Sequence, residues 1–143
     1  MHFTSAVLFL ASSFVVAAAG VATTVKYDTT YDSSAQSMLT VACSDGDNGL
    51  YTKGYLTFGA LPSFPNIGAA AAITGWNSPQ CGKCFKLYYK GKTVYITGVD
   101  SASGDAGFVL SRAAMDSLTG GLAVQLGSIT ASYAPVASSF CGM

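Results

Sequence analysis

Seven aspartates, four cysteines, a single histidine and a set of tyrosines with one tryptophan are the residues of this 143-residue chain that could do chemistry. The chain has no glutamate, and its one histidine, His2, lies in an N-terminal segment that reads as a removable leader. Nucleophilic triads need a base such as histidine, and zinc-protease sites need histidine ligands, so both classes are excluded. Phosphate-cradling glycine loops of the P-loop or dinucleotide type are absent as well. What remains is a carboxylate pair of the kind that hydrolyses glycosidic bonds. Asp100 is the leading candidate, because it ends an apolar, strand-like run at a glycine-flanked bend, where clefts form. An aspartate in such a place equally serves by accepting hydrogen bonds from neighbouring backbone amides. A lone acid without a proton donor hydrolyses little.

Cys43, Cys81, Cys84 and Cys141 give an even count, which in an oxidising compartment reads as two disulfides with three alternative connectivities. The Cys81-Gly82-Lys83-Cys84 spacing also suits a redox dithiol or half of a zinc site. A redox motif opens a helix, whereas the residues from Phe85 onward have strand character, and a second ligand pair with zinc spacing is lacking. Structural disulfides are the better reading, and no metal or cofactor is expected. Ser44-Asp45-Gly46-Asp47-Asn48-Gly49 is a dense turn cluster without the terminal glutamate of a calcium loop.

The aromatic inventory favours binding. Trp76 sits in a Gly- and Pro-rich loop, and sugar rings stack their apolar faces on such side chains while Asp, Asn, Ser and backbone groups take the hydroxyls. The competing role for Trp76 is core packing beside a cystine.

Residues 1–20 read as a secretory signal peptide, with an apolar run from Ala6 to Ala19 broken only by Ser12 and Ser13. Cleavage sites offer themselves after Ala19, Gly20 or Ala22. The run is too short for a membrane span, and no second stretch approaches that length. Residues 21–143 are then one secreted domain. Its seven basic and seven acidic residues balance, so no basic stripe exists to neutralise nucleic acid.

These side chains need a scaffold, and its elements are short. Val25 to Tyr31 alternates and reads as a strand. The stretch from Gly59 to Gln80 reads as loop, with a helical turn over Ala69 to Ala72. Phe85–Tyr89 and Thr93–Thr97 form a hairpin around Lys90-Gly91-Lys92, with a type II′ turn, and the second strand continues to Asp100-Ser101. Ser111 caps a helix over residues 111–118 that Gly120-Gly121 stops. The tail from Leu122 to Val136 alternates and is expected to supply two closing strands. Short strands and many turns suggest a β-barrel.

The blocks VKYDTTYD, VACSDGDNGL, FPNIG, GWNSPQCGKCF, VYITGVDSA and GFVLSRAAMDSLTG, followed by Cys141, occur in the order seen in the cerato-platanin family, which this sequence resembles over the whole mature chain. The resemblance implies a mainly β fold, a six-stranded double-ψ β-barrel with one or two short helices, and the disulfides Cys43–Cys81 and Cys84–Cys141. It implies secretion by a filamentous fungus, to the medium or cell wall, and binding of chitin oligosaccharides or other wall polysaccharide in a shallow groove. It further implies loosening of that polysaccharide without hydrolysis, self-association at interfaces, and elicitation of plant defence through a plant surface receptor. Carried over by position, the groove residues are Asp100 with Ser101, Tyr27 and Asp28 of the first strand, and Ser44, Asp45, Asn48 and Gly49 of the turn cluster. Trp76 and Asn77 complete the set, and Asn77 stands where an acidic residue would strengthen the local field.

Three functions follow: a non-catalytic sugar-binding, wall-loosening elicitor; a weak glycoside hydrolase on the same barrel; or a surface-active structural protein, for which the low charge speaks. The first is the expected one.

Overall fold

The computed structural model describes residues 20–103 and 105–143. The signal-peptide reading therefore falls almost wholly outside the described residues. Six strands close into one barrel: β1 (Val21–Tyr27), β2 (Ile67–Ala70), β3 (Cys84–Tyr89), β4 (Lys92–Ser101), β5 (Phe108–Leu110) and β6 (Ser128–Val136). Around the barrel the order is β1-β5-β2-β4-β3-β6. β1 and β5 run parallel, as do β2 and β4, and the other four pairings are antiparallel. This is the six-stranded barrel that the resemblance implies. Closure leaves no strand edge to template aggregation.

β-branched and aromatic residues at alternate positions send one set of side chains inward. Val25, Leu87, Ile96, Val99 and Leu110 are fully buried there, with Ile67 and Ile73 between them. The helix α1 (Arg112–Thr119) packs on one side of the barrel through Ala114, Met115 and Leu118. Its N-terminus is doubly capped. Ser111 Oγ accepts from the Ala114 amide at 3.0 Å, and the Asp32 carboxylate accepts from the amides of Arg112 at 2.7 Å and Ala113 at 3.0 Å. Three of the four amides that a helix start leaves unpaired are thereby satisfied. Gly120, left-handed at φ 71°, ends it.

Several local expectations are corrected. The strand expected over Val25 to Tyr31 begins earlier and ends at Tyr27, because Asp28 Oδ1 accepts from the Thr30 amide and opens a 3₁₀ turn over Thr29–Asp32. Ala69 and Ala70 lie in β2 rather than in a helical turn. Gly68 at the start of that stretch admits no side chain, since a Cβ there would clash with the Val109 carbonyl oxygen of the paired β5. The hairpin turn has positive φ at both Lys90 (43°) and Gly91 (84°), the type I′ signature instead of II′. The tail supplies one strand, not two, because Ala123–Leu126 forms a short helix, α2, before β6.

Candidate functional site

Two disulfides hold the chain at the barrel ends. Cys43 bonds Cys81, and Cys84 bonds Cys141. No described cysteine is free, so the Cys81 and Cys84 thiols face different partners and form no dithiol.

The first bridge staples two loops that carry most of the candidate residues. Loop 43–50 is fastened to β4 by the Cys43 amide on the Val99 carbonyl (3.1 Å) and closes on itself through the Leu50 amide on Cys43 and the Tyr51 amide on Ser44, each 3.0 Å. Gly49 is essential to that closure, since a Cβ there would lie 2.1 Å from the Ser44 carbonyl oxygen. The facing loop contributes Trp76 and Asn77. The indole Nε1 of Trp76 donates to Asp45 Oδ1 at 2.7 Å, while its ring is 63% exposed. Asn77, left-handed at φ 58°, accepts from the Asn48 amide through Oδ1 (2.9 Å), and its carbonyl accepts from Asn48 Nδ2 (3.0 Å). Gly46 lets the loops touch: a Cβ there would come within 2.7 Å of Asn77 Oδ1 and 3.0 Å of Trp76 Cζ2. Ser44, Asp45, Asn48, Gly49, Trp76 and Asn77 are thus one bonded unit that presents a fixed aromatic face. Trp76 is exposed rather than packed in the core, and its indole hydrogen bond restrains its rotation. Asn77 serves as a strut between loops.

Asp100 and Ser101 end β4 one step away, reached through Ala42 and Cys43. Asp100 Oδ1 accepts from the Ala42 amide (3.0 Å) and the Ser101 amide (2.9 Å), and Oδ2 accepts from the Tyr31 hydroxyl (2.9 Å). Both oxygens work as acceptors, the arrangement of a strut that joins β4, the 41–43 segment and the 3₁₀ turn. Tyr31, buried and packed on Phe58 with ring centroids 6.0 Å apart, was not among the expected groove residues. Burial, then the negative charge of Asp100 and the hydrogen bond to it, and last the charge of Asp28, raise its pKa well above the usual tyrosine value. Its hydroxyl therefore stays protonated as a donor to Asp100. Reading residues 25–31 as one strand hid this role, because the turn at Asp28 reorients Tyr31.

Asp28 is the cap of that turn and lies close enough to Tyr31 to influence its titration. Tyr27, half-buried at the end of β1, pairs with Leu110 and shares no hydrogen bond with the loop unit. The site is therefore two connected clusters, the Asp45–Trp76 platform and the Asp100 strut, with Tyr27 at their margin. Among the described residues no cluster of three His, Cys, Asp or Glu side chains could hold a metal ion.

A family model described as Cerato-platanin matches residues 23–143. The chain belongs to the cerato-platanin family. Its relatives include the "Heat-stable 19 kDa antigen" of Coccidioides immitis, 46% identical over 85% of this chain and 82% of that protein. Among solved structures, cerato-platanin 3 from M. perniciosa superposes with a TM-score of 0.81 at 48% identity, over 86% of this chain and 100% of the other. The solution structure of the fungal elicitor Cerato-Platanin gives 0.74 at 39% identity, over 82% and 95%. The cerato-platanin barrel seen in these neighbours is the one described above. No described helix is long and apolar enough to cross a membrane.

Proposed function

We propose that this cerato-platanin is a secreted, non-catalytic protein that binds chitin and related N-acetylglucosamine oligomers. The observation that carries the reading is the exposed Trp76 ring held by Asp45 and buttressed by the Asn48–Asn77 pair. A rigid aromatic face loses little entropy when a sugar ring stacks on it, and the partly exposed Asn48 and the backbone groups beside it are suited to hydroxyls and acetamides. Ser44, by contrast, is buried with its hydroxyl on Asp45 and supports the loop from within. Asp100 shapes this end of the barrel from beneath. Its oxygens are engaged as acceptors, which speaks against a proton-donating role and so against glycoside hydrolysis.

Loosening of wall polysaccharide follows if the platform competes for chains that otherwise pack on one another. Elicitation of plant defence, through a surface receptor or by presenting chitin fragments, is supported by the relative described as a fungal elicitor. The test is an NMR titration of the oxidised protein with chitin tetramer, paired with a reducing-end assay on the same sample. Saturable shifts at Asp45, Asn48 and Trp76 with no new reducing ends are expected. Time-dependent release of reducing ends, abolished in Asp100→Asn, would establish the hydrolase instead.

One observation favours a second reading. Leu122, Val124 and Leu126 around α2 are 41%, 57% and 41% exposed, an apolar knob suited to self-association at an interface. Replacing all three with serine removes film formation on that reading and leaves sugar binding intact.

A further inference from the structure

The first half of β4 carries half of an aromatic pair that the proposed function does not use, a half-buried tyrosine against an exposed phenylalanine. Tyr95 of β4 and Phe140 of the C-terminal 3₁₀ turn stack with centroids 5.0 Å apart and planes 18° off parallel. Phe140 is 57% exposed, so this pair is not core packing. It borders a groove of about 450 Å³ between the 62–66 loop, the start of β4, α1 and the chain end. The platform is preorganised. Cys141, buried and bonded to Cys84, fixes the backbone next to Phe140, and the amides of Phe140, Gly142 and Met143 close the turn on Ala137, Ser139 and Ser138.

The groove's chemistry is selective. No acidic or basic side chain lines it, which removes any basis for holding phosphate or carboxylate. Its polar lining includes the hydroxyls of Thr93 and Ser117 and the amide of Asn66, none of which spends its side chain on a protein hydrogen bond among the described residues. Ser63, by contrast, is engaged with the Asn66 carbonyl and Thr97. A flat apolar face beside unspent neutral donors and acceptors matches an uncharged pyranose ring. We propose that this groove is a second binding site for neutral β-1,4-linked oligosaccharide. It takes its ligand class from the proposed function but none of its residues, since Tyr95 lies ~17 Å along the strand from Asp100.

Two sites at the ends of one small barrel can engage one polymer chain twice or bridge two chains, so retention on insoluble polysaccharide should exceed what tetramer affinity predicts. NMR titrations of the oxidised protein with tetra-N-acetylchitotetraose and with cellotetraose test the groove, using Phe140→Ala, Ser117→Arg (which obstructs the groove while both aromatic residues are kept) and Trp76→Ala. Saturable shifts at Asn66, Thr93 and Tyr95 are expected. They should persist in Trp76→Ala and weaken at least fivefold in both groove variants. A response to either sugar supports the groove, and the stronger one identifies the wall polymer. No saturable shifts there up to ~10 mM sugar, shifts unaltered in both groove variants, or shifts abolished by Trp76→Ala would overturn it. Groove shifts without any at Asp45 and Asn48 would uphold this site while removing the Trp76 platform.

Discussion

Replacing Asp100 with alanine orphans three donors at once: the Tyr31 hydroxyl and the amides of Ala42 and Ser101. A hydrogen bond to a charged group contributes about 1.5–3 kcal/mol when buried, and less where water reaches it. Asp100 is half-buried, so the three together should cost about 3–5 kcal/mol. Tyr31→Phe keeps the ring against Phe58 and loses one bond, for about 1.5–2 kcal/mol. Because both changes break the same Tyr31–Asp100 bond, the double variant should cost about 1–2 kcal/mol less than the sum. Urea unfolding of the oxidised protein at neutral pH measures all three, through midpoints at constant slope. Additivity within about 0.5 kcal/mol would refute the strut, since uncoupled residues share no bond. The cycle also bears on binding experiments. Asp100→Ala disturbs the scaffold under the loops, so lost sugar affinity in that variant is no proof of contact; Asp100→Asn, which keeps an acceptor for the two amides, is the cleaner probe.

Tyr31 predicts an alkaline limit. Its folded pKa is raised, so its stabilising contribution is complete below about pH 10 and is lost as pH climbs towards the folded value. Thermal melts should fall above that pH, and less steeply in Tyr31→Phe. The disulfides close loops with separations of 38 and 57 residues, for about 3.9 and 4.2 kcal/mol by chain entropy. These loops do not overlap. Cys43→Ala with Cys81→Ala should lower Tm by about 10–20 °C, and removing both bridges should leave no cooperative melt. Gly49→Ala forces a Cβ onto the Ser44 carbonyl, so it should cost about 1–3 kcal/mol and move the Asn48 and Asn77 amide resonances.

The hairpin of β3 and β4 and the capped helix α1 were legible because their signals are local: β-branched alternation across a short turn, and serine before an apolar face. Residues 69–70 mislead because alanine signals a helix, whereas here Ala69 and Ala70 are buried in a strand paired with β5, a tertiary fact invisible to periodicity. The alternation from Val25 to Tyr31 continues past the point where Asp28 turns the chain, so periodicity points to a strand that runs too far and gives no sign of the role of Tyr31. At Lys90 a non-glycine residue accepts positive φ, which no composition rule anticipates. The loop cluster around Ser44–Gly49 was recognisable as a turn. Its bonding to Trp76 and Asn77 was not, because those contacts span about thirty residues and depend on two glycines and a cystine.

The central claim is that the Asp45-held face of Trp76 binds sugar. Isothermal titration of chitin tetramer into the oxidised protein and into Trp76→Ala tests it most directly, with cooperative melts first showing that both are folded. The account predicts saturable binding to the native chain and about tenfold weaker binding to the variant, a loss of about 1.4 kcal/mol. Equal affinities for the two proteins, or no binding by the native chain, would contradict it.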